Sequence, residues 1–226
     1  MDKIKINNNL EKIYRNEASN FLNPVEVSYI KKILDKSNLQ YSIYKPFKDA
    51  EKQIIYTDKL GVSLFLISTK DNLSHREILG SLFSNQLRDD SFGDIIIDND
   101  KYYILIKDHL KKYMLTNFNK IGKKSVKLIE KDLDCTKDFS NRYKTMNITT
   151  TSLRVDQIIS KLISISRSKV LNMITDQMIM VNYEILKSKT KSISENDIIS
   201  IRRYGKFIIR KIDIANKIRI DIDKYI

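Results

Sequence analysis

A serine, a histidine and a glutamate lie within four residues in the string Ser-His-Arg-Glu at 74–77, and these residue types could form a nucleophile, a base and an acid. The spacing favours a structural explanation. Ser74 followed three residues later by Glu77 is a helix capping box, in which both side chains satisfy free backbone N–H groups. His75 and Arg76 then stay on the outer first turn, as candidates for a secondary contact with a polyanion or a protein partner. The string predicts a helix start rather than a catalytic site.

Three nearby carboxylates, Asp89, Asp90 and Asp94, are of the type that binds Mg²⁺. Gly93 followed by Asp94 is typical of a turn into a strand, and two histidines and one cysteine are too few for a zinc cluster. The five glycines never lie within two residues of one another, so neither a Walker loop nor a dinucleotide-binding turn can form. We therefore expect no metal, no cofactor and no catalysis.

The charge balance points to a polyanionic partner. The chain of 226 residues carries 41 Lys and Arg against 28 Asp and Glu, a net charge of +13. Frequent Ile, Asn and Lys indicate an AT-rich genome, which inflates Lys without a functional reason, but Arg is not favoured by that bias. Seven of the ten arginines follow residue 140, and residues 141–226 have a net charge of +9 against +4 for the first 140. The polyanion site is therefore expected in the C-terminal part.

The elements that must position these residues follow from periodicity. Apolar residues at helical spacing predict a helix over 10–20, and Asn23, Pro24 and Glu26 predict the start of a second. Short β-branched and aromatic runs predict strands within 39–67. The next expected elements are a helix at 74–86, strands at 93–98 and 102–107, a short helix to about 115 and a strand at 125–130. This order suggests a sheet packed by helices.

The pattern changes after residue 130. Residues 131–151 lack apolar periodicity and predict a linker or a surface strand. The elements expected after them are helices at 153–163 and 167–175 and strands at 178–182, 197–203 and 206–212. Their order is ααβββ.

Residues 152–207 resemble the S4 RNA-binding domain. The resemblance is carried by the Arg154-x-Asp156 opening of the first helix, the Ser-Arg-Ser-Lys string at 166–169, the Val-Asn strand end at 181–182, the Asp-Ile-Ile-Ser-Ile-Arg string at 197–202 and the Gly-Lys-Phe string at 205–207. The chain departs from the family pattern where Gln177 and Tyr183 replace usual glycines, Met180 replaces a frequent basic residue and Asn196 replaces a common turn glycine.

This resemblance implies an RNA site on the second S4 helix and on the following hairpin. The first turn of that helix offers free N–H groups and the positive end of its dipole, which suit a phosphate, and its cations are expected to be exposed. Asp156 and Asn182 are expected to be structural, and the side chains of Arg210, Lys211 and Arg219 to be solvated. The RNA-binding residues expected from the resemblance are Arg154, Arg167, Ser168, Lys169, Arg202, Arg203 and Lys206.

The N-terminal part narrows the family. The strings FLNPVE, LSHREILGSLF, LRDDSFGDIII and TNFNKIG resemble the YlmH-type S4-domain proteins of bacteria, and only KPFKDAEKQ at 45–53 departs clearly from their pattern. The resemblance implies an α+β protein with N-terminal helices, an RRM-like α/β middle domain and a C-terminal S4 domain. The expected divisions are an N-terminal segment 1–70, the RRM-like domain 71–135 that can pack with it as one unit, a linker 136–151 and the S4 domain 152–226.

The function implied by this family is non-catalytic binding of structured RNA, rRNA and tRNA, on the large ribosomal subunit. The protein would act in ribosome-associated quality control, on stalled subunits that carry peptidyl-tRNA, as a cytoplasmic monomer. The first residues lack a secretory apolar region, and the apolar run at 62–67 is far below the roughly 18 residues of a membrane span. Two alternatives stay open, an RNA-modifying enzyme of the pseudouridine synthase or methyltransferase type that its S4 domain targets, and a DNA- or division-associated binding protein.

Overall fold

The computed structural model describes residues 2–226 and divides them into two compact units, one ending at Ser140 and one spanning Asn141–Ile226. Both combine helices with antiparallel sheets, which confirms the α+β class. No helix within residues 2–226 has the length and apolar character that a membrane crossing requires.

The first unit is built around a four-stranded antiparallel sheet in the order β4-β5-β3-β8, with two small hairpins, β1-β2 and β6-β7. Its helices are α1 (Lys3–Tyr14), α2 (Pro24–Leu34), α3 (His75–Ser84) and α4 (Lys111–Asn117). Its strands are β1 (Ser42–Tyr44), β2 (Ile54–Tyr56), β3 (Val62–Ser68), β4 (Phe92–Asp98), β5 (Lys101–Lys107), β6 (Lys120–Ile121), β7 (Lys124–Ser125) and β8 (Lys127–Lys131).

The first helix lies earlier in the chain than the expected 10–20. Asp2 caps it by accepting hydrogen bonds from the N–H groups of Ile4 and Lys5. It ends at Tyr14, and Asn16 takes a left-handed conformation with φ 60°. Beyond it the chain is extended, and the Ser19 N–H donates to the Ile55 carbonyl at 2.9 Å. The apolar spacing past residue 14 thus reflects packing against the β1–β2 hairpin rather than helix.

Two helix starts are as expected. Asn23 and Glu26 form the capping box of α2 with Pro24 in its first turn, and Ser74 and Glu77 form the capping box of α3. These motifs act within four residues of sequence, so the rest of the fold does not displace them.

Both faces of the central sheet are buried in the first unit. Phe65 and Ile104 face a core that includes Ile78 and Leu82 of α3, and the opposite face packs against residues that include Phe21 and Ile54. Segments 1–70 and 71–135 therefore share their core and fold as one unit, one of the two arrangements that the sequence allowed.

One lysine is enclosed in this unit. Lys107, at the end of β5, is 5 % exposed, and its ammonium donates to the carbonyls of Ser19 at 2.8 Å and Ala18 at 3.4 Å. Burial lowers its pKa to about 8, with a further lowering by the positive charge of Lys12.

The second unit is a six-stranded antiparallel sheet in the order β11-β10-β12-β13-β14-β9 with two helices. Its helices are α5 (Val155–Leu162) and α6 (Arg167–Thr175). Its strands are β9 (Tyr143–Thr150), β10 (Ile179–Val181), β11 (Glu184–Ile185), β12 (Ile198–Ile201), β13 (Gly205–Ile214) and β14 (Ile218–Tyr225).

Strand β9 changes the expected boundary. Residues 143–150 were assigned to a linker in the division 136–151, with a surface strand as the alternative. They form the edge strand of the second sheet, paired with β14 from Tyr143 opposite Tyr225 to Thr150 opposite Ile218. The strand alternates polar and apolar residues weakly, and its partner lies about 75 residues further along the chain, so only tertiary pairing makes it a strand.

The helices cover one face of the second sheet. The core joins Val155, Ile159 and Val170 of the helices to strand residues such as Phe207 and Ile222. Because strand residues alternate between faces, Lys206 and Tyr225 lie on the opposite, outer face.

Candidate nucleic-acid interface

The carboxylate of Asp156 holds two of the expected RNA-binding arginines. Asp156, in the first turn of α5, is 1 % exposed. Arg154 donates to it through Nε and Nη2, each at 3.1 Å, and Arg167 at the start of α6 donates through Nη2 at 2.6 Å. The Gln157 N–H adds a fourth hydrogen bond at 3.0 Å. We call Arg154, Asp156 and Arg167 the arginine clamp.

The clamp fixes the ionisation of its carboxylate. Burial by itself raises the pKa of Asp156, but hydrogen bonds and charge from Arg154 and Arg167 outweigh that effect and lower the pKa below its usual value. The carboxylate is thus ionised at neutral pH and ties the start of α5 to the start of α6, which agrees with the structural role expected for Asp156.

The two arginines keep part of their surface for a ligand. The side chain of Arg154 is 39 % exposed and that of Arg167 is 52 % exposed, and each guanidinium has more N–H groups than the clamp uses. Arg167 is exposed as expected, and its ion pair with a buried carboxylate is an addition that the sequence did not predict. The clamp as a whole has one net positive charge.

The first turn of α6 carries the expected Ser168 and Lys169. Ser166 caps the helix by accepting from the Lys169 N–H at 3.4 Å, and its hydroxyl lies 3.0 Å from that of Ser168. Lys169 is exposed and, within residues 2–226, forms no ion pair. Its ammonium is therefore free to meet an anion near the positive end of the helix dipole.

Arg202 and Arg203 lie at the other end of α6. They occupy the turn between β12 and β13, and the Arg202 N–H donates at 2.9 Å to the carbonyl of Met178, which follows α6. Both are exposed, and neither forms an ion pair with any residue from 2 to 226. Lys169 lies six residues before Thr175, the last residue of α6, so this turn and Lys169 are separated by about 9 Å along the helix. The structure thus forms two groups of cations rather than one cluster.

Lys206 belongs to a third location, the outer face of the sheet. Its ammonium lies 5.4 Å from the ring centroid of Tyr225 and 5.6 Å from that of Tyr183. Tyr225 contacts Tyr143 on the neighbouring strand, with ring centroids 5.0 Å apart, and the Arg210 guanidinium lies 5.2 Å from the Tyr143 ring. Sequence reasoning did not single out these tyrosines. The alternation of apolar and polar residues in IRIDIDKY at 218–225 is a signal that could have found one of them, because it indicates a strand that ends at Tyr225.

Three non-glycine residues have left-handed conformations where the S4 pattern commonly has glycine. Their φ angles are 55° for Gln177, 66° for Tyr183 and 66° for Asn196. Asn tolerates this region, whereas Gln and Tyr are strained there. Asn182 is structural as expected, since its amide donates to Asp197 at 2.7 Å and its carbonyl oxygen accepts from the Ile198 N–H at 2.9 Å.

Three further cations of the second unit are engaged with acids on the surface. Arg210 pairs with Asp223 at 2.7 Å, Lys211 with Asp213 at 2.8 Å and Arg219 with Asp221 at 3.7 Å. Exposed pairs of this kind contribute little to stability.

The Ser-His-Arg-Glu string has the geometry of a helix start. The Ser74 hydroxyl donates to Glu77 at 2.7 Å, and the Lys124 ammonium donates to the same carboxylate at 2.5 Å. These contacts lower the pKa of Glu77 to about 2, so it is an ionised cap and no proton donor. His75 and Arg76 are exposed on this turn.

The three aspartates after α3 have separate structural partners. Asp94 accepts from the N–H groups of Glu51 and Lys52, Asp90 accepts from Asn20, and Asp89 pairs with the Lys52 ammonium at 3.0 Å. Between residues 2 and 226, no three His, Cys, Asp or Glu side chains are grouped as metal ligands.

Comparisons with known proteins indicate a second candidate RNA-binding region, in the first unit. Residues 59–135 match the family model described as "Putative RNA-binding domain in YlmH", a segment that holds β3 to β8 of the first unit. The distribution of net charge along the sequence did not point to this segment. Its exposed lysines concentrate on the segment from β6 to β8, as Lys120, Lys123, Lys127 and Lys131.

Two relatives extend the match. The chain is 21 % identical over 212 residues to the "Ribosome-associated protein quality control protein P2" of Bacillus subtilis, covering 88 % of this chain and 82 % of that protein. It also resembles the solved structure of "Cell division protein ylmH from Streptococcus pneumoniae" with a TM-score of 0.51 and 20 % identity, over 61 % of this chain and 94 % of that one, a likeness of fold. These matches confirm the resemblance to YlmH-type RNA-binding proteins that the sequence indicates.

Proposed function

We propose that this protein is a non-catalytic RNA-binding protein that acts on the ribosome. It binds rRNA and tRNA on the large subunit, as a cytoplasmic quality-control factor for stalled subunits that carry peptidyl-tRNA. The YlmH-type RNA-binding segment and the name of the Bacillus subtilis relative support the ribosomal setting. The observation that carries the proposal is the set of exposed, unpaired cations at the two ends of α6, Lys169, Arg202 and Arg203.

The second unit supplies the main interface in this proposal, as an S4-type domain. Two helices followed by antiparallel strands are consistent with the ααβββ order that the S4 resemblance implies, with β9, β11 and β14 as additional strands. Free N–H groups and the dipole at the start of α6 attract a phosphate, and Lys169 adds a full positive charge there. Arg202 and Arg203 contact a second position of the same RNA backbone about 9 Å away.

The first unit supplies a weaker second contact. Its four-stranded sheet with α3 and α4 is the RRM-like domain of the proposal, and its lysines from 120 to 131 face solvent on short strands. Lysines on an edge strand such as β8 also hinder pairing of that edge with a strand of another molecule, so these residues have a structural role as well. His75 and Arg76 lie in this unit as secondary contacts.

Binding in this proposal is mainly electrostatic, and salt titration measures it. If about four to six phosphates are contacted, log K falls with log salt with a slope of roughly −3 to −5 on structured RNA. The fragment 141–226 keeps most of this slope, because it carries a net charge of +9. A salt-independent affinity would contradict the proposal.

Matched charge reversals test where the RNA binds. Lys169→Glu with Arg202→Glu and Lys211→Glu with Arg219→Glu each reverse one lysine and one arginine of the second unit. The first pair should leave the ribosomal fractions of a sucrose gradient, whereas the second pair should stay there, and sequencing of RNA crosslinked to the wild-type protein identifies the subunit. Equal losses would show that bulk charge, and not the ends of α6, governs binding.

The non-catalytic part of the proposal has its own test. Mg²⁺, nucleotides and S-adenosylmethionine should leave the melting temperature unchanged, because only a ligand that binds the native state stabilises it, by an amount that grows with the ratio of ligand concentration to Kd. A saturable shift with any of them would support an enzyme instead.

A further inference from the structure

We propose that the outer face of the second sheet is a stacking site for unpaired nucleotides of RNA, formed by three tyrosines and the two cations beside their rings. This inference rests on the proposed function. It adds a site for single-stranded RNA on the face of the sheet opposite to α5 and α6. Its members in spatial order are Tyr183, Lys206, Tyr225, Tyr143 and Arg210, and we call them the tyrosine row.

The sheet register places the tyrosine row on one face. Tyr143 pairs directly with Tyr225 across β9 and β14, and Phe207 pairs with Lys224 on the helix-covered face. Lys206 and Tyr225 are the neighbours of that second pair along their strands, so both point outward. All three tyrosines are partly exposed. Rings on adjacent strands are thus presented side by side.

The cations are interleaved with the rings. Lys206 lies between Tyr183 and Tyr225, 5.6 Å and 5.4 Å from their centroids, and Arg210 lies 5.2 Å from Tyr143. Asp223 accepts from Arg210 Nε at 2.7 Å and orients the guanidinium beside that ring. Ring faces that stack on bases and cations that meet phosphates are the two components of single-strand binding surfaces.

The backbone at Tyr183 supports a functional reason for its ring. Asn182 and Tyr183, with φ 51° and 66°, form a two-residue turn between β10 and β11, and the second position of such a turn favours glycine. Tyrosine is strained there, and strained residues persist at sites where the side chain is needed. The turn thereby holds an aromatic ring next to Lys206.

The occupant must be single-stranded and anionic. Stacking requires a base whose face is open, which excludes the paired interior of a duplex. On this face the row has two cations, Lys206 and Arg210, against the carboxylate of Asp223, which pairs with Arg210. This balance favours RNA over an uncharged proline-rich peptide, the other usual ligand of aromatic surfaces.

The chain contains no tryptophan, so a single indole can report on the site. In the variant Tyr225→Trp, an oligouridylate of about twelve nucleotides should quench the indole fluorescence with saturation, because stacking on a base quenches it. The control is Ile214→Trp, at the opposite end of the β13–β14 hairpin, where Ile214 is 71 % exposed, and it should show no quenching.

A second measurement does not depend on that variant. In anisotropy titrations with labelled oligouridylate, Tyr143→Leu should bind about tenfold more weakly than wild type, and Tyr143→Phe should bind as wild type does. A blunt RNA duplex should bind both variants equally and should respond to Lys169→Glu with Arg202→Glu.

The outcomes separate this inference from the proposed function. Duplex binding with an unquenched indole, equal effects of leucine and phenylalanine at Tyr143, or quenching by decaproline alone would overturn the stacking site and leave the proposed function standing. Failure of both RNAs to bind would overturn both.

Discussion

Reversing the charge of Arg167 should destabilise the second unit, whereas the same reversal two residues later should not. Arg167→Glu removes a charge-assisted hydrogen bond of about 1.5–3 kcal/mol and brings a second carboxylate close to Asp156, which is 1 % exposed. Two like charges about 4 Å apart repel by about 4 kcal/mol near a protein surface. Solvent around Arg167, whose side chain is 52 % exposed, and the two remaining hydrogen bonds from Arg154 reduce this repulsion. The total cost is about 2–4 kcal/mol.

Lys169→Glu changes the net charge equally but completes a capping box with Ser166, which gains about 0.5 kcal/mol. For a unit of this size, the melting temperature should fall by about 10–25 °C in Arg167→Glu and stay unchanged or rise slightly in Lys169→Glu. Circular dichroism melts of fragment 141–226 measure both. Asp156→Asn in the Arg167→Glu background should recover part of the loss, since it removes the repulsion. Equal stability of Arg167→Glu and wild type would refute the arginine clamp.

Three other perturbations test separate features. Gln177→Gly should stabilise the second unit by about 1 kcal/mol in urea unfolding, because Gln177 has φ 55° at the end of α6, and a loss of stability would contradict the strain argument. Ser74→Ala should destabilise the first unit by about 0.5–2 kcal/mol, while Ser84→Ala on the same helix should cost less. The first unit should become more stable as the pH rises from about 8 to about 10.5, because native Lys107 releases its proton near pH 8 while the unfolded chain retains it up to its ordinary pKa. In guanidinium unfolding, the variant Lys107→Met should not show this increase in stability.

Local signals in the sequence predicted much of the fold. The capping boxes at Asn23 and Ser74 and the apolar runs of β3, β4 and β5 lie within short windows, so neighbouring residues determine them. The first helix shows the limit of such reasoning. Leu10 and Ile13 belong to α1, but Phe21 continues the same spacing as an extended residue in the core of the first sheet. Periodicity alone cannot tell which element an apolar residue packs against.

The candidate site likewise combines contacts between residues close in sequence, which could be predicted, with contacts that depend on tertiary packing, which could not. Arg154 and Asp156 are separated by one residue, so their resemblance to a helix opening was visible. The bond from Arg167 to Asp156 spans eleven residues and depends on how α5 packs on α6. The contact of Tyr143 with Tyr225 spans still more of the chain and depends on β9, whose own sequence predicts a strand only weakly. Sequence reasoning therefore named the cations but not their partners.

The pairing of β9 with β14 also determines how the second unit responds to force. Tyr143 begins its first strand and Tyr225 ends its last, and the two lie opposite one another at the same end of an antiparallel pair. Tension applied through these two positions opens the ladder from that end, one pair of hydrogen bonds at a time, instead of shearing all of them together. The unit should consequently yield at low force. The same adjacency makes it a suitable module for insertion into a surface loop of another protein, because entry and exit of the chain are neighbours.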